Sequence, residues 1–106
     1  MIFKLNLDYS RDAKDNDKLS DAEVTLTYLT YAVRISYKDG LDNQFRRMWA
    51  RIQRKLDAAI DDNKNEIDLD VSEFDFIKGA FKSPKIPSDI AKYFVILEDY
   101  IDELSN

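Results

Sequence analysis

Apolar and polar positions along this chain follow two rhythms, a step of two and a step of three to four. Residues 2–9 keep the first. Phe3, Leu5, Leu7 and Tyr9 alternate with Lys4, Asn6 and Asp8, the pattern of a strand with one buried face. Residues 66–71 repeat it, with Ile67, Leu69 and Val71 inward and Glu66, Asp68 and Asp70 outward. A lone strand is not stable, so these two are expected to pair. Lys4 opposite the acidic row favours that pairing modestly.

The helical rhythm is clearest over 41–62. Leu41, Phe45, Met48, Ile52, Leu56, Ala59 and Ile60 recur so as to share one face, each residue turning by about 100°. Arg47, Arg51, Arg54 and Lys55 fall on an adjacent face, with Arg46 beside them. Another helix is expected from Ser72, where Asp75 completes a near capping box and Val71 and Phe76 stand at staple positions. Phe74, Ile77 and Phe81 are its buried stripe, and Gly79 weakens it. A last helix over 89–104 takes Ser88 as its cap. Ile90, Phe94, Leu97, Ile101 and Leu104 form its core stripe, widened by Tyr93, Ile96 and Tyr100, with Glu98, Asp99, Asp102 and Glu103 on the far side.

Residues 20–37 carry mixed signals. Their Val, Thr, Ile and Tyr content suits a strand. Ser20 and Glu23, however, have capping-box spacing. Glu23, Thr27, Thr30 and Arg34 also share one narrow helical stripe, whereas strand alternation slips at Leu29. The expectation is a helix buried on most sides, the central core helix. Gly40 ends it, able to adopt a left-handed conformation at little steric cost, and the short connection packs this helix against the next.

The remaining stretches are loops. Residues 10–19 are polar, and Asp12, Asp15 and Asp17 are interleaved with Arg11, Lys14 and Lys18, which reads as a solvated loop rather than a cation site. Pro84 and Pro87 limit helix around 82–87. The expected order is β-α-α-β-α-α: an α+β fold dominated by about four helices, with a minor two-stranded sheet, in one domain over residues 1–106.

Composition narrows the chemistry. Two glycines and two prolines in 106 residues suit long elements and few tight turns. The absence of Cys excludes disulfides, thiolate metal sites and a Cys nucleophile. The absence of His removes Ser-His-Asp arrangements and His-ligated zinc. No glycine-rich phosphate loop occurs, no carboxylate pair has a spacing that implies a shared site, and no cofactor is expected. The chain therefore reads as non-catalytic. No stretch approaches the roughly 20 apolar residues of a membrane span, and the first ten residues lack a signal-peptide run. The expected location is the cytoplasm of a producing or host cell. Small size, few glycines and abundant Lys, Asp and Asn are shared with orphan proteins of phages and mobile elements.

The net charge of −5 disfavours non-specific polyanion binding, but the charge is unevenly spread. Residues 41–60 carry five basic and two acidic side chains, residues 61–80 two basic and seven acidic. Two partner-binding faces follow: a basic one of Arg46, Arg47, Arg51, Arg54 and Lys55, and an acidic one of Glu66, Asp68, Asp70 and Glu73. The basic face with Trp49 could alternatively lie along nucleic acid, the arginines on phosphates and the indole on a base. The acidic row could imitate a nucleic-acid backbone and block a host factor, or could only keep an edge strand from pairing. From Asp61 the spacing resembles the opening of a calcium loop, but Glu66 stands where glycine is needed and Ser72 where the bidentate acid belongs, so no metal is expected. Tyr28, Tyr31, Tyr37, Tyr93 and Tyr100 offer contact area as well as core packing. A small domain struggles to cover so much apolar surface, which points to a homo-oligomer, with Tyr93, Ile96 and Tyr100 as its interface. The leading expectation is a protein-binding interaction module, and nucleic acid is the second.

Overall fold

The computed structural model describes residues 1–11, 19–82 and 85–106. Asp12, Asp15, Asp17 and Pro84 lie outside the described residues. The elements are β1 (Ile2–Lys4), α1 (Asp21–Ser36), α2 (Asn43–Asp61), β2 (Glu66–Asp68), α3 (Val71–Ala80) and α4 (Ala91–Ser105). The helix-dominated α+β order read from the periodicity is the order observed.

β1 and β2 pair antiparallel, with Ile2 opposite Asp68, Phe3 opposite Ile67 and Lys4 opposite Glu66. The pairing runs slightly past the strands: the Leu5 N–H donates to the Asn65 carbonyl (2.7 Å) and the Leu69 N–H to the Met1 carbonyl (2.9 Å). The strands are shorter than the alternation suggested, yet the alternation still sets burial. Leu5 and Tyr9 are buried and Lys4, Asn6 and Asp8 exposed, because an extended chain laid on a core turns every second side chain inward. The outer edges are met by side chains. The Lys4 N–H donates to the Tyr100 hydroxyl at 2.7 Å, and Lys55 Nζ donates to the Asp68 carbonyl at 2.8 Å.

α1 is the central helix. It packs against α2, α3 and α4, which explains strand-like residues in a helix: β-branched and aromatic side chains fill the space between neighbours, and tertiary packing overrides propensity. The Ser20–Glu23 capping box forms, both arms at 3.1 Å. Thr25 is fully buried. Its single hydroxyl proton goes to the Leu5 carbonyl, so the Tyr9 hydroxyl, 2.6 Å away, donates to Thr25. Gly40 has φ +102°, the conformation expected of the residue that turns the chain from α1 into α2.

Two boundaries differ from expectation. α3 begins two residues early, with Asp70 as N-cap and Glu73 closing the capping box. Glu73 reaches back to the cap amide, which the shorter Asp75 does not do from the Ser72 frame. Val71 therefore leaves the strand and becomes the first helical residue, 77 % exposed. Leu69 and Phe74, both buried, take the staple positions assigned to Val71 and Phe76. α4 begins late. The Ile90 and Ala91 N–H groups bond back to the Pro87 and Ser88 carbonyls (3.2 and 3.4 Å), so Ser88 sits in a turn and the helix starts without a side-chain cap.

The core is one connected cluster running from Phe3 and Leu5 through Leu29, Ile52, Leu56 and Ile77 to Phe94, Leu97 and Ile101. Aromatic contacts link its parts. Phe76 stacks with Tyr37 at 5.5 Å and meets Phe45 edge-on at 5.5 Å.

Candidate functional site

The candidate surface is built on α2. Asp42 caps it, accepting the Phe45 N–H at 2.8 Å. Ile52, Leu56 and Ala59 face the core, which leaves the arginine-rich side outward. Trp49 does not stay on that edge. It is only 8 % exposed and stacks near Phe76 at 6.0 Å, so it is not placed to stack on a base.

The five basic side chains separate into two groups. Lys55 and Arg51 turn toward the start of α3. Lys55 Nζ donates to Glu73 Oε1 at 2.6 Å, and Arg51 lies 3.7 Å from Glu73 and 3.8 Å from Asp70. Arg46, Arg47 and Arg54 remain exposed. Arg46 and Arg47 reach only the Asn43 side-chain carbonyl, at 3.4 and 3.1 Å. Among the described residues they form no ion pair, and Arg54 has no polar partner.

The acidic face is reduced in the same way. Glu73 is fully buried and is withdrawn from any partner surface. One of its oxygens takes the Lys55 ammonium and the Asp70 N–H, and the other has no hydrogen bond. Asp70 caps α3. Asp68 is exposed and 3.1 Å from the Met1 ammonium. Glu66 alone of the four keeps an exposed carboxylate with no hydrogen bond or ion pair among the described residues. The row of exposed carboxylates therefore ends at Asp70, because the α3 capping box draws Glu73 into the fold.

The proposed tyrosine interface is also largely internal. Tyr93 is buried. Tyr100 packs edge-on to Phe3 at 5.2 Å and accepts the Lys4 N–H. Its hydroxyl is pushed above the ordinary tyrosine range, mainly by burial. Ile96 is partly buried against the same core. The far side of α4 stays acidic, and Glu98 is held above the ordinary carboxylate range by burial first and by Asp102 and Asp99 second.

Among the described residues no group of three or more His, Cys, Asp or Glu side chains is placed to hold a metal ion. No described helix is long and apolar enough to cross a membrane. No protein-family model, curated protein or solved structure matches this chain.

Glu73 is the residue that pattern reading placed on the wrong side of the surface. The signal that locates it was present: Asp70 and Glu73 have capping-box spacing in their own right.

Proposed function

We propose that the chain is a non-catalytic interaction module that binds an acidic protein surface through Arg46, Arg47 and Arg54. One observation carries this reading. α2 bears its charges against its own dipole. Arg46 and Arg47 are its fourth and fifth residues, and Asp61 is its last. Cations near a helix N-terminus and anions near its C-terminus each cost about 0.3–1 kcal/mol. Arg46 and Arg47 weaken the helix that carries them, and among the described residues no ion pair compensates; Arg54, in mid-helix, has no polar partner there either. Their use lies in what they meet outside the chain. Adjacent guanidinium groups with a third about two turns along suit a spread of carboxylates, which they bind in a planar fork.

Burial of Trp49 and the overall negative charge favour a protein partner over nucleic acid. The reading goes with a cytoplasmic location. In its phage-type form, the acidic surface belongs to a host factor.

The test is a tagged pull-down from native or host lysate at near-physiological salt, with and without nuclease. The tagged chain is compared with its R46E/R47E/R54E variant and with an E66K/D68K variant. Support requires a protein that survives nuclease, is lost with the arginine reversal and is kept by the acidic reversal. Recovery of nucleic acid that high salt releases moves the arginines onto phosphates instead. Loss of the partner only with E66K/D68K moves the function to the acidic side.

A further inference from the structure

Away from the arginines, α3 and the end of α4 enclose an apolar concavity of about 410 Å³. Leu69 and Phe74 form its floor, both buried, and Leu104 and Val71 stand at its sides. Val71 is the most exposed large hydrophobic side chain among the described residues, at 77 %. Asp70, the N-cap of α3, and Lys78, in its last turn, also line it. The Lys78 ammonium lies over the Phe74 ring at 5.6 Å, and its nearest carboxylate, Asp75, is 4.0 Å away.

We infer that this groove is the contact of a twofold dimer, and that its occupant is a second copy of this chain. The patch is self-complementary. Residues 71, 74 and 78 share one face of α3, since they are three and four apart. When two copies of α3 pack antiparallel about a twofold axis near Phe74, the Asp70 end of one helix stands beside the Lys78 end of the other. Both opposite-charge pairs form at once, and the two helix dipoles oppose each other favourably. Val71 of each copy then covers apolar surface of the other. The earlier boundary of α3 is what creates the arrangement, because it turns Val71 out of the sheet and onto the groove. This inference does not rest on the arginine face.

The test measures mass by sedimentation velocity across a wide concentration series. The wild-type chain should show a concentration-dependent monomer–dimer equilibrium. Val71→Asp should weaken the dimer by about 100-fold, because the lost apolar contact enters a twofold interface twice. Val71→Ile should keep or tighten it. Val71→Asp places an acid at the first position of a helix, which favours that helix, so the dilute variant should keep its helical circular dichroism. Should it unfold, Lys78→Glu on the same face is the second variant and should weaken the dimer as well. A wild-type chain that is monomeric throughout overturns the inference. So does a dimer indifferent to both Val71→Asp and Lys78→Glu. A monomer whose groove takes up an apolar dye, with uptake lost in Val71→Asp, also overturns it by showing a different occupant.

Discussion

Glu73→Ala should be among the most damaging single substitutions of a charged residue in this chain. Its carboxylate is fully buried and has two roles. It closes the α3 capping box by accepting the Asp70 N–H at 2.9 Å. It also receives the Lys55 ammonium at 2.6 Å, which ties α2 to α3. Loss of a cap interaction costs about 1 kcal/mol, and loss of a hydrogen bond to a charged group about 1.5–3 kcal/mol. Lys55 is 39 % exposed and returns partly to water, which reduces the second figure toward its lower end. The expected total is about 3 kcal/mol, a fall in Tm of roughly 10–20 °C for a domain of this size. Glu73→Gln keeps the shape and the cap and should cost about 1 kcal/mol. Lys55→Met leaves the buried carboxylate with the Asp70 N–H and, among the described residues, Arg51 at 3.7 Å as its one cationic neighbour, and should cost about 2 kcal/mol. In urea unfolding, Lys55→Met should be milder when Glu73 is already Gln. A coupling below about 0.5 kcal/mol in that double-mutant cycle would refute the claim that this pair joins the two helices.

Three further outcomes follow from single contacts. Burial pushes the Tyr9 hydroxyl up from 10.0 to about 12. The folded state then holds a proton that the unfolded state releases, so this stability is complete below pH 10 and is lost as pH rises toward about 12, in all about 3 kcal/mol. Tyr9→Phe should flatten the alkaline limb of stability against pH, and an unchanged limb would assign it to other groups. Gly40→Ala meets open space but must hold φ +102°, so it should destabilise by about 1 kcal/mol in denaturant titration. Arg46→Glu with Arg47→Glu should raise Tm by several degrees, reversing an unfavourable dipole interaction worth about 1 kcal/mol in sum, while abolishing partner capture. A fall in Tm would show that the arginines stabilise the fold itself.

Most of the architecture was legible in periodicity. The step of two at Phe3, Leu5, Leu7 and Tyr9 and the step of three to four at Phe45, Ile52 and Leu56 each encode one buried face. Burying one face is the dominant constraint on a local element. The Ser20 capping box settled α1 as a helix against its own β-branched content. Gly40 was legible because few other residues tolerate its backbone angle. The two-stranded pairing of β1 with β2 followed from there being no other partner for either.

What the sequence did not disclose lies wherever two local solutions compete or where side chains meet across elements. Asp70 and Ser72 both offered a start for α3, and the longer reach of Glu73 decided between them. That choice exposed Val71 and buried Glu73. Arg47 and Arg51 look alike along α2, being one turn apart, yet only Arg51 stands over the acids at the start of α3. Trp49 lies on the edge of an apolar stripe, and whether such an edge is covered depends on the neighbour. Here Phe76 of α3 covers it. Local pattern determines which elements form and which way each faces. Pairing between elements determines which charges remain on the surface, because it rests on distances that no one-dimensional spacing records.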